Sequence, residues 1–353
     1  MATASKEEML QWLTVSESAR TMLKRVVERQ QPSIAALPPL HRVALHGGHV
    51  LEVAGPSGSG KSEIMLQAIV SCILPKEWRG HKLGGSEKPA VFFDLNCHFD
   101  MMRLVKLLHS RVREALGQRI SMEELSGRAV PAWSLSMGVD CLDELLATSL
   151  KRFYHKRCFN SFGFLVALKT IRPFLKDVEM EHGSSPQLLI IDSVGAFYWL
   201  DRSVRSAPSD KGRKTLSLHS VSEAVVRELS QLVLTFPTLL ILATKTIIHG
   251  DTTKEYTNQV GSSYIDRNQQ DEMLLSARSS VSTARNRKQG QSHREYMPAA
   301  WQGFVTHRLL VQGPFDSGKE GMFFTAKWDL PPSEREDRFI ISNSGIELAS
   351  GRS

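Results

Sequence analysis

The stretch Gly55-Pro56-Ser57-Gly58-Ser59-Gly60-Lys61-Ser62 matches the phosphate-binding pattern G-x-x-x-x-G-K-[ST] at every fixed position. Residues 49–54 lead into it with strand-like content, and residues 62–72 follow with apolar side chains at helical spacing. Phosphate binding depends on this order, because a strand delivers a loop whose backbone N–H groups converge on phosphate oxygens at a helix N-terminus. A plain turn does not require Lys-Ser at that point. The stretch therefore predicts that residues 55–62 bind a nucleotide.

The side chains expected to act on the nucleotide lie at the end of this loop and at the end of a later strand. Lys61 is expected to reach the β- and γ-phosphates, and Ser62 to give its hydroxyl to Mg²⁺. The apolar run Gln187-Leu-Leu-Ile-Ile-Asp192 ends in a carboxylate, which in phosphate-loop proteins orients the Mg²⁺ shell directly or through water. We predict ATP and Mg²⁺ as cofactors, with Ser62 and Asp192 on the metal side. A buried strand with a polar exit residue is the alternative explanation of Asp192.

The composition is that of a folded protein with a basic balance. The chain has 353 residues, 41% of them apolar, which is enough for a core, and a formal net charge of +7. A positive balance favours contact with polyanions, nucleic acid above all, although many proteins of this charge have no such partner. No apolar run approaches the ~18 residues of a membrane-spanning helix. The polar, charged first residues predict no secretory signal.

The cysteine pattern is typical of a reducing compartment. The cysteines are Cys72, Cys97, Cys141 and Cys158, and no two of them form a C-x-x-C pair. This spacing predicts neither a disulfide framework nor a zinc site. Without a secretory signal, the cytosol and the nucleus remain as predicted locations.

The order of apolar and amphipathic segments predicts an α/β fold. Short apolar segments typical of buried strands alternate with segments of helical periodicity. The strands are predicted at 90–94, 187–192 and 237–244, and the helices at 100–112, at 164–175 with a kink at Pro173, and at 218–234. Such strands are typical of a mostly parallel central sheet with helices on both faces. Ligands bind at the carboxyl ends of these strands, where residues 55–62, 94–96 and Asp192 are expected to meet.

We divide the chain into four parts. Residues 1–40 are predicted to form an N-terminal helix and a proline-containing linker, and whether this helix packs on its own domain or docks on a partner stays open. We expect no separate N-terminal domain with a linker in the 54 residues before Gly55. Residues 41–248 are predicted to form the nucleotide-binding core. Residues 299–353 return to strand content and are predicted to complete the core sheet as antiparallel hairpins.

The remaining part, residues 249–298, is polar and basic. Few of its residues are apolar, and arginine and lysine are concentrated between Ser276 and Arg294. This composition predicts a disordered or conditionally ordered loop. Two interpretations stay open: the loop follows a phosphate backbone, or it is a solubilising insertion.

Two further features also have two interpretations. Cations lie on or just after the predicted helix at 100–112, at Arg103, Lys106, Arg111 and Arg113. Their pattern favours a solvated face over a nucleic-acid site. The aromatic run Ala196-Phe-Tyr-Trp-Leu200 could stack on bases, but its position directly after a strand favours a packed turn between strand and helix.

Two segments resemble RecA-type recombinases. The run from Gly47 to Ser62 is similar to that family's strand and nucleotide loop, and Leu188-Leu-Ile-Ile-Asp-Ser193 is similar to its Mg²⁺-side strand. A closer similarity, to a eukaryotic paralogue of the strand-exchange recombinase, runs in ordered blocks along the chain. These blocks include Cys72–Lys76, His98–Leu104, Leu189–Arg202, Ala300–Gln302, Val305–Arg308 and Phe339–Glu347.

The resemblance implies a fold, a function and partners. The fold is a RecA-like P-loop ATPase core without the helical N-terminal domain of the full recombinase. The function is homologous recombination repair of DNA double-strand breaks, as a nucleotide-binding subunit of a paralogue complex that helps the recombinase load on single-stranded DNA. The implied partners are a recombinase paralogue subunit and, through the complex, single-stranded or branched DNA. No membrane contact is implied, and the implied compartment is the nucleus.

Two positions depart from the family's catalytic pattern. Active recombinases carry a glutamate that positions the attacking water, and the alignment places Asn96 there; an amide cannot take a proton from water as a carboxylate can. They also carry a glutamine that senses the γ-phosphate, where this chain reads Thr244-Lys-Thr246. We therefore predict Mg-ATP binding with slow or absent turnover and assign no catalytic residue. The alternative is an active DNA-stimulated ATPase of the RecA class.

Overall fold

The computed structural model describes residues 37–115, 139–198, 200–201, 218–249, 293–294, 299–316 and 321–349. The chain divides into two compact units, residues 1–246 with 296–353 and residues 247–295. The predicted N-terminal helix, most of the linker and nearly all of the basic loop at 249–298 lie outside the described residues. In the second unit the described part is a short antiparallel ribbon.

Strands and helices alternate along most of the described chain. The strands are β1 (Val50–Gly55), β2 (Glu77–Trp78), β3 (His81–Lys82), β4 (Ala90–Asp94), β5 (Phe153–Arg157), β6 (Leu188–Asp192), β7 (Leu240–Thr246), β8 (Ile248–His249), β9 (His293–Arg294), β10 (His307–Asp316), β11 (Met322–Leu330), β12 (Glu336–Ser342) and β13 (Gly345–Leu348). The helices are α1 (Lys61–Ile73), α2 (Met101–Ala115), α3 (Val139–Leu150), α4 (Ser161–His182), α5 (Leu218–Thr235) and α6 (Ala299–Phe304). A 3₁₀ helix at Leu40–Arg42 precedes β1.

A nine-stranded sheet organises the first unit, in the order β13-β12-β11-β10-β1-β7-β6-β4-β5. From β10 to β5 every pair of neighbouring strands is parallel. From β10 to β13 every pair is antiparallel. The predicted α/β, RecA-like fold with antiparallel C-terminal hairpins is confirmed. The strand β10 joins the sheet parallel to β1 and is also the first strand of these hairpins.

Successive residues of each central strand face opposite sides of the sheet and build two separate cores. In β6, Leu188 and Ile190 belong to the first core, which includes residues of α1, α2 and α3. Leu189 and Ile191 belong to the second core, which includes residues of α4, α5 and α6. A strand that is covered on both faces is apolar at every position, which explains the continuous apolar runs in the sequence. The predicted helices on both faces are therefore present.

The helix α4 is longer than the sequence indicated. It continues through Pro173 to His182, whereas the prediction covered residues 164–175. Its start is fixed by Asn160, whose side chain accepts a backbone hydrogen bond from the first turn at 2.7 Å. Its end follows from Gly183, which takes the left-handed conformation that ends many helices. Val178, beyond the proline, is buried, and such packing compensates for the backbone hydrogen bond that a proline removes.

Two findings concern the environment of the chain. Within the described ranges, no helix is long and apolar enough to cross a membrane. Three cysteines of the described part, Cys72, Cys97 and Cys158, are free thiols. Burial raises the pKa of the Cys72 thiol to about 12, so this thiol stays protonated at neutral pH and is unreactive.

Candidate nucleotide-binding site

The predicted phosphate loop joins β1 to α1 at the carboxyl end of the parallel strands. Two of its glycines show why this residue type is needed there. At Gly55 a Cβ atom would lie 2.2 Å from the carbonyl oxygen of Val311 in the neighbouring strand β10, so a larger residue would clash with backbone. Gly60 precedes α1 with a φ of +88°, in the left-handed region that glycine adopts without steric cost. The loop is therefore held between β10 and the first turn of α1.

The side chain of Lys61 points back into the loop. Its ammonium donates hydrogen bonds to the carbonyl oxygens of Gly55 at 2.9 Å and Pro56 at 2.6 Å, and to Ser59 Oγ at 3.4 Å. Lys61 is 8% exposed. Burial lowers its pKa to about 8, an effect that the negative charge of Asp192 partly opposes. The ammonium is therefore a buried cation held by neutral groups, and an anion at the loop would stabilise it.

The lowered pKa of Lys61 predicts a pH dependence of nucleotide binding. A phosphate anion raises the pKa of the amine it contacts, so the protonated protein binds best and affinity follows the protonated fraction of the free protein. With a pKa of about 8, that fraction falls roughly tenfold between about pH 7 and about pH 9. We expect the association constant for Mg-ATP, measured by calorimetry, to fall by that factor. An affinity that stays constant over this interval would contradict the assignment of Lys61 to the phosphates.

The residues predicted on the metal side converge beside the loop. The Ser62 hydroxyl donates to Asp192 Oδ2 at 3.3 Å. Thr244, which the sequence pattern did not single out, donates its hydroxyl to Asp192 Oδ1 from the neighbouring strand β7 and so fixes the carboxylate. In proteins, Mg²⁺ is coordinated by hydroxyl and carboxylate oxygens, and water and phosphates commonly provide its other ligands. The residues present therefore fit a magnesium ion held by Ser62 and Asp192.

The turn after β4 contains Asn96, which is predicted to align with the recombinase glutamate. The backbone N–H of Asn96 donates to the carbonyl oxygen of Asp192 at 3.2 Å, so this turn lies against the metal-side strand. The nearby carboxylate of Asp94 is buried and holds the turn: it accepts a hydrogen bond from the backbone N–H of His98 at 3.1 Å and lies 3.5 Å from Arg157 Nε. A carboxylate engaged in this way is poorly placed to act as a base on water. Asp94 therefore does not replace the missing glutamate.

Lys245 lies in the segment where the family carries its γ-phosphate-sensing glutamine. The strand β7 continues to Thr246, past the predicted end at Thr244. Because side chains alternate along a strand, Thr244 faces Asp192 and Lys245 faces the opposite side of the sheet. There Lys245 is 5% exposed, with its ammonium 3.9 Å from Glu52 Oε1. The side chain is therefore paired inside the protein, on the face of the sheet opposite Thr244 and Asp192.

A buried charge cluster around Glu52 connects β1, β7, β10 and α6. Glu52 has no exposed surface and accepts hydrogen bonds from Trp301 Nε1 at 2.6 Å and from Arg308 Nε at 2.8 Å. Together with Lys245, this places two cations beside one carboxylate. The cluster is not predictable from the sequence, because Trp301 and Arg308 lie 249 and 256 residues from Glu52. The available signal was a single charged residue inside an otherwise apolar strand.

Two of the cations on α2 form ion pairs. Arg111 pairs with Glu114 at 3.1 Å on the exposed surface. Arg103, which was predicted to lie on a solvated face, instead contacts Glu63 of α1 and the backbone of the turn between β12 and β13. Its side chain is 19% exposed. The prediction of a solvated face is therefore wrong for Arg103.

The aromatic segment after β6 packs inside the protein. Ala196 and Phe197 pack against the second core. Phe197 and Tyr198 line a cavity of about 70 Å³, and Phe164 and Trp301 line it from α4 and α6. For the part of this segment that the structure describes, the packed turn is the arrangement observed.

The mostly parallel sheet, with helices on both faces and a glycine-rich loop between β1 and α1, defines a RecA-like α/β protein. A DNA repair protein XRCC2 homolog of Arabidopsis thaliana is 34% identical to this chain over 348 residues, which cover 96% of the chain and 89% of the relative. The DNA repair protein XRCC2 of Mus musculus is 25% identical over 306 residues, which cover 85% of each protein. The chain belongs to the XRCC2 family of DNA repair proteins.

A more distant relative supports the same class. The DNA repair and recombination protein RadA of Halobacterium salinarum is 28% identical over 169 residues, 47% of this chain and 44% of the relative. No protein-family model matches the chain. The resemblance to a recombinase paralogue is confirmed, and the chain is a DNA repair and recombination paralogue.

Proposed function

We propose that this chain is a nucleotide-binding subunit of a nuclear complex of recombinase paralogues, which acts in homologous recombination repair of DNA double-strand breaks. In this role it binds Mg-ATP, hydrolyses it slowly or not at all, and docks on a paralogue subunit. The complex then helps the recombinase load on single-stranded or branched DNA. The relatives in DNA repair and recombination support the repair role.

The proposal depends chiefly on a contrast within the site. The residues predicted to bind nucleotide, Lys61, Ser62 and Asp192, lie together at the predicted phosphate loop. At the positions predicted to matter for hydrolysis, Asn96 offers an amide at the turn beside Asp192, and Lys245 is paired with Glu52 on the other face of the sheet. A site of this kind is suited to holding a nucleotide without cleaving it.

The chain's own residues are suited to the proposed nucleotide binding. The Lys61 ammonium exchanges the neutral carbonyls of the loop for phosphate oxygens, which stabilise its charge better. Backbone N–H groups at the start of α1 donate to the phosphates, and the helix dipole favours the negative charge there. Ser62 and Asp192 would hold the metal, with Thr244 fixing the carboxylate. A magnesium ion held there would supply positive charge next to the phosphates.

The proposal predicts tight binding of Mg-ATP without turnover. Loss of a general base lowers a rate by roughly 10²–10⁴-fold, and ordinary enzymes turn over at about 1–10³ s⁻¹. We therefore expect steady-state phosphate release at least about a hundredfold below that range, with and without single-stranded DNA. Calorimetric titration of the same purified sample establishes in parallel that Mg-ATP is bound.

The control is a variant that removes the phosphate-binding amine. Turnover in the ordinary range that disappears in Lys61→Ala would contradict the proposal and favour an active DNA-stimulated ATPase. The assay is repeated with a recombinase paralogue bound, because a partner subunit could supply the carboxylate that Asn96 lacks. Turnover that appears only in that mixture would contradict the proposed absence of hydrolysis in the complex.

A further inference from the structure

The hairpin of β12 and β13 lies directly against the start of the phosphate-loop helix. A Cβ atom on Gly60 would lie 2.8 Å from Ile341 Cδ1 and 3.7 Å from a ring carbon of Phe339, both in β12. Gly60 is the last loop residue before α1. The side chains of β12 therefore occupy the space beside the residue from which α1 begins, and the first turn of α1 cannot shift toward β12 without displacing them.

The turn at the tip of this hairpin contacts the next turn of α1. A Cβ atom on Gly345 would lie 2.0 Å from Gln67 Nε2, so the backbone of the tip closely approaches the Gln67 side chain. Gly345 has a φ of +121°, which a residue with a side chain rarely adopts. Both the spacing and the backbone conformation thus require glycine where the tip meets the helix.

Arg103 of α2 bridges the hairpin tip and α1. Its guanidinium pairs with both carboxylate oxygens of Glu63, the residue that follows Ser62. The same guanidinium donates to the carbonyl oxygens of Ser342 at 2.7 Å and Asn343 at 3.0 Å. The Glu63 and Arg103 side chains are only 12% and 19% exposed, so this charge-assisted bridge is screened less than a surface ion pair. One side chain therefore connects the loop helix with the tip of the hairpin.

The base of the hairpin is held at a different place. Asp337 of β12 is nearly buried and forms a two-point ion pair with Arg42 of the 3₁₀ helix that precedes β1. The strand β13 is at the end of the sheet, with β12 as its neighbour. The hairpin is thus anchored to the chain at its base, while its tip is connected to α1 through Arg103.

We propose that the tip of the β12–β13 hairpin responds to nucleotide at the phosphate loop, and that Arg103 is the positioning residue that couples the two. Phosphate binding fixes the backbone of the first turn of α1, which includes Ser62 and Glu63. Fixing Glu63 fixes Arg103, and Arg103 holds the carbonyl groups of the tip. This inference rests on the proposed binding of Mg-ATP. Because coupling is reciprocal, a mobile tip also weakens nucleotide binding.

The test uses the full chain and hydrogen–deuterium exchange of peptides that cover residues 336–348. In the wild-type protein, saturating Mg-ATP is expected to slow exchange at the tip by about fivefold or more, the size of an ordinary coupling between sites. In Arg103→Ala the slowing should be lost, and the affinity for Mg-ATP should fall by the same factor. The control is Arg111→Ala. Arg111 lies on the same helix but in an exposed ion pair with Glu114, so this variant should keep the slowed exchange at the tip and the affinity for Mg-ATP.

The outcomes separate this inference from the proposed function. Calorimetry on the wild-type protein tests nucleotide binding by itself, and absence of binding would overturn both. Binding that leaves exchange at the tip unchanged, or slows it equally in Arg103→Ala, would overturn the inference alone. If Arg103→Ala does not fold, the same measurement is made on Glu63→Gln. This variant removes the negative charge that pairs with Arg103 and keeps the size of the side chain. Slowing equal to that of the wild type in Glu63→Gln would also overturn the inference.

Discussion

The substitution Lys61→Met is expected to lower the affinity for Mg-ATP by about a hundredfold or more. In the free protein the amine is held only by neutral acceptors, the nearest of which is the Pro56 carbonyl at 2.6 Å. In the complex it donates to charged phosphate oxygens, and hydrogen bonds to charged groups contribute about 1.5–3 kcal/mol each. Two such bonds correspond to a factor of at least about a hundred. Titration with a fluorescent nucleotide or calorimetry measures the change directly.

The same variant separates binding from folding. The pKa of Lys61 is lowered from 10.5 to about 8 in the folded protein, mainly by burial. Below about pH 8 the amine is charged in both the folded and the unfolded chain, so its burial lowers stability; that cost disappears as the pH rises toward 10.5. At neutral pH, Lys61→Met is therefore expected to raise the free energy of unfolding, measured with urea, while it removes nucleotide binding.

A matched control is Lys82→Met, at an exposed position of β3. It removes the same charge from the chain and is expected to leave both the affinity and the stability unchanged. Equal loss of affinity in the two variants would show that net charge, and not the position of Lys61, determines binding. Retained affinity in Lys61→Met would refute the assignment of Lys61 to the phosphates.

The parts of the fold that the sequence predicted correctly depend on local signals. The strand β4 has the predicted bounds, because Ala90–Asp94 is a short apolar run covered on both faces. Residues 55–62 were singled out by a pattern that reflects contacts with a ligand, and their assignment to phosphates stays a prediction. Asp192 was singled out as a carboxylate at the end of an apolar strand, and its role at the metal also stays a prediction. These signals lie within a few residues of the features they predict.

The parts that the sequence did not predict depend on contacts between distant segments. Arg103 meets the hairpin carbonyls 239 and 240 residues away, so its position on α2 alone indicated a solvated cation. Thr244 acquires its role from the pairing of β7 with β6, which brings it to Asp192. The helix α4 passes through Pro173 because residues beyond the proline are buried. In each case tertiary packing outweighed the local preference on which the prediction depended.

The two departures from the recombinase pattern acquire a physical meaning in the structure. Asn96 makes a backbone contact with Asp192, and its side chain is an amide, which is not an acid–base group. Lys245 faces the second core, where its charge is paired with Glu52. A cation in β7 therefore contributes to a buried cluster. Under the proposed function, both positions would affect hydrolysis more than nucleotide binding.

The substitution Glu52→Gln is expected to destabilise the protein by about 3–5 kcal/mol, the usual effect of removing one partner from a buried ion pair. Glutamine keeps the size of the side chain and an oxygen for the Trp301 indole, so packing changes little. The cations Arg308 and Lys245, however, lose the carboxylate that lies 2.8 Å and 3.9 Å from them. The measurement is the free energy of unfolding in urea, with the slope of the transition checked for two-state behaviour.

The control for this prediction is Glu114→Gln, which removes a carboxylate from the exposed pair with Arg111 and is expected to change stability by less than about 1 kcal/mol. Glu52 lies in the strand that leads into Gly55, so removing its charge is also expected to weaken Mg-ATP binding. This effect would be indirect, because the hydrogen bonds described for the Glu52 carboxylate come from Trp301 and Arg308. If Glu52→Gln lowers the free energy of unfolding by no more than Glu114→Gln does, then water or another group compensates the two cations. The cluster would then not hold β1 in place, and the position of the phosphate loop would depend on the backbone pairing of β1 with β7 and β10.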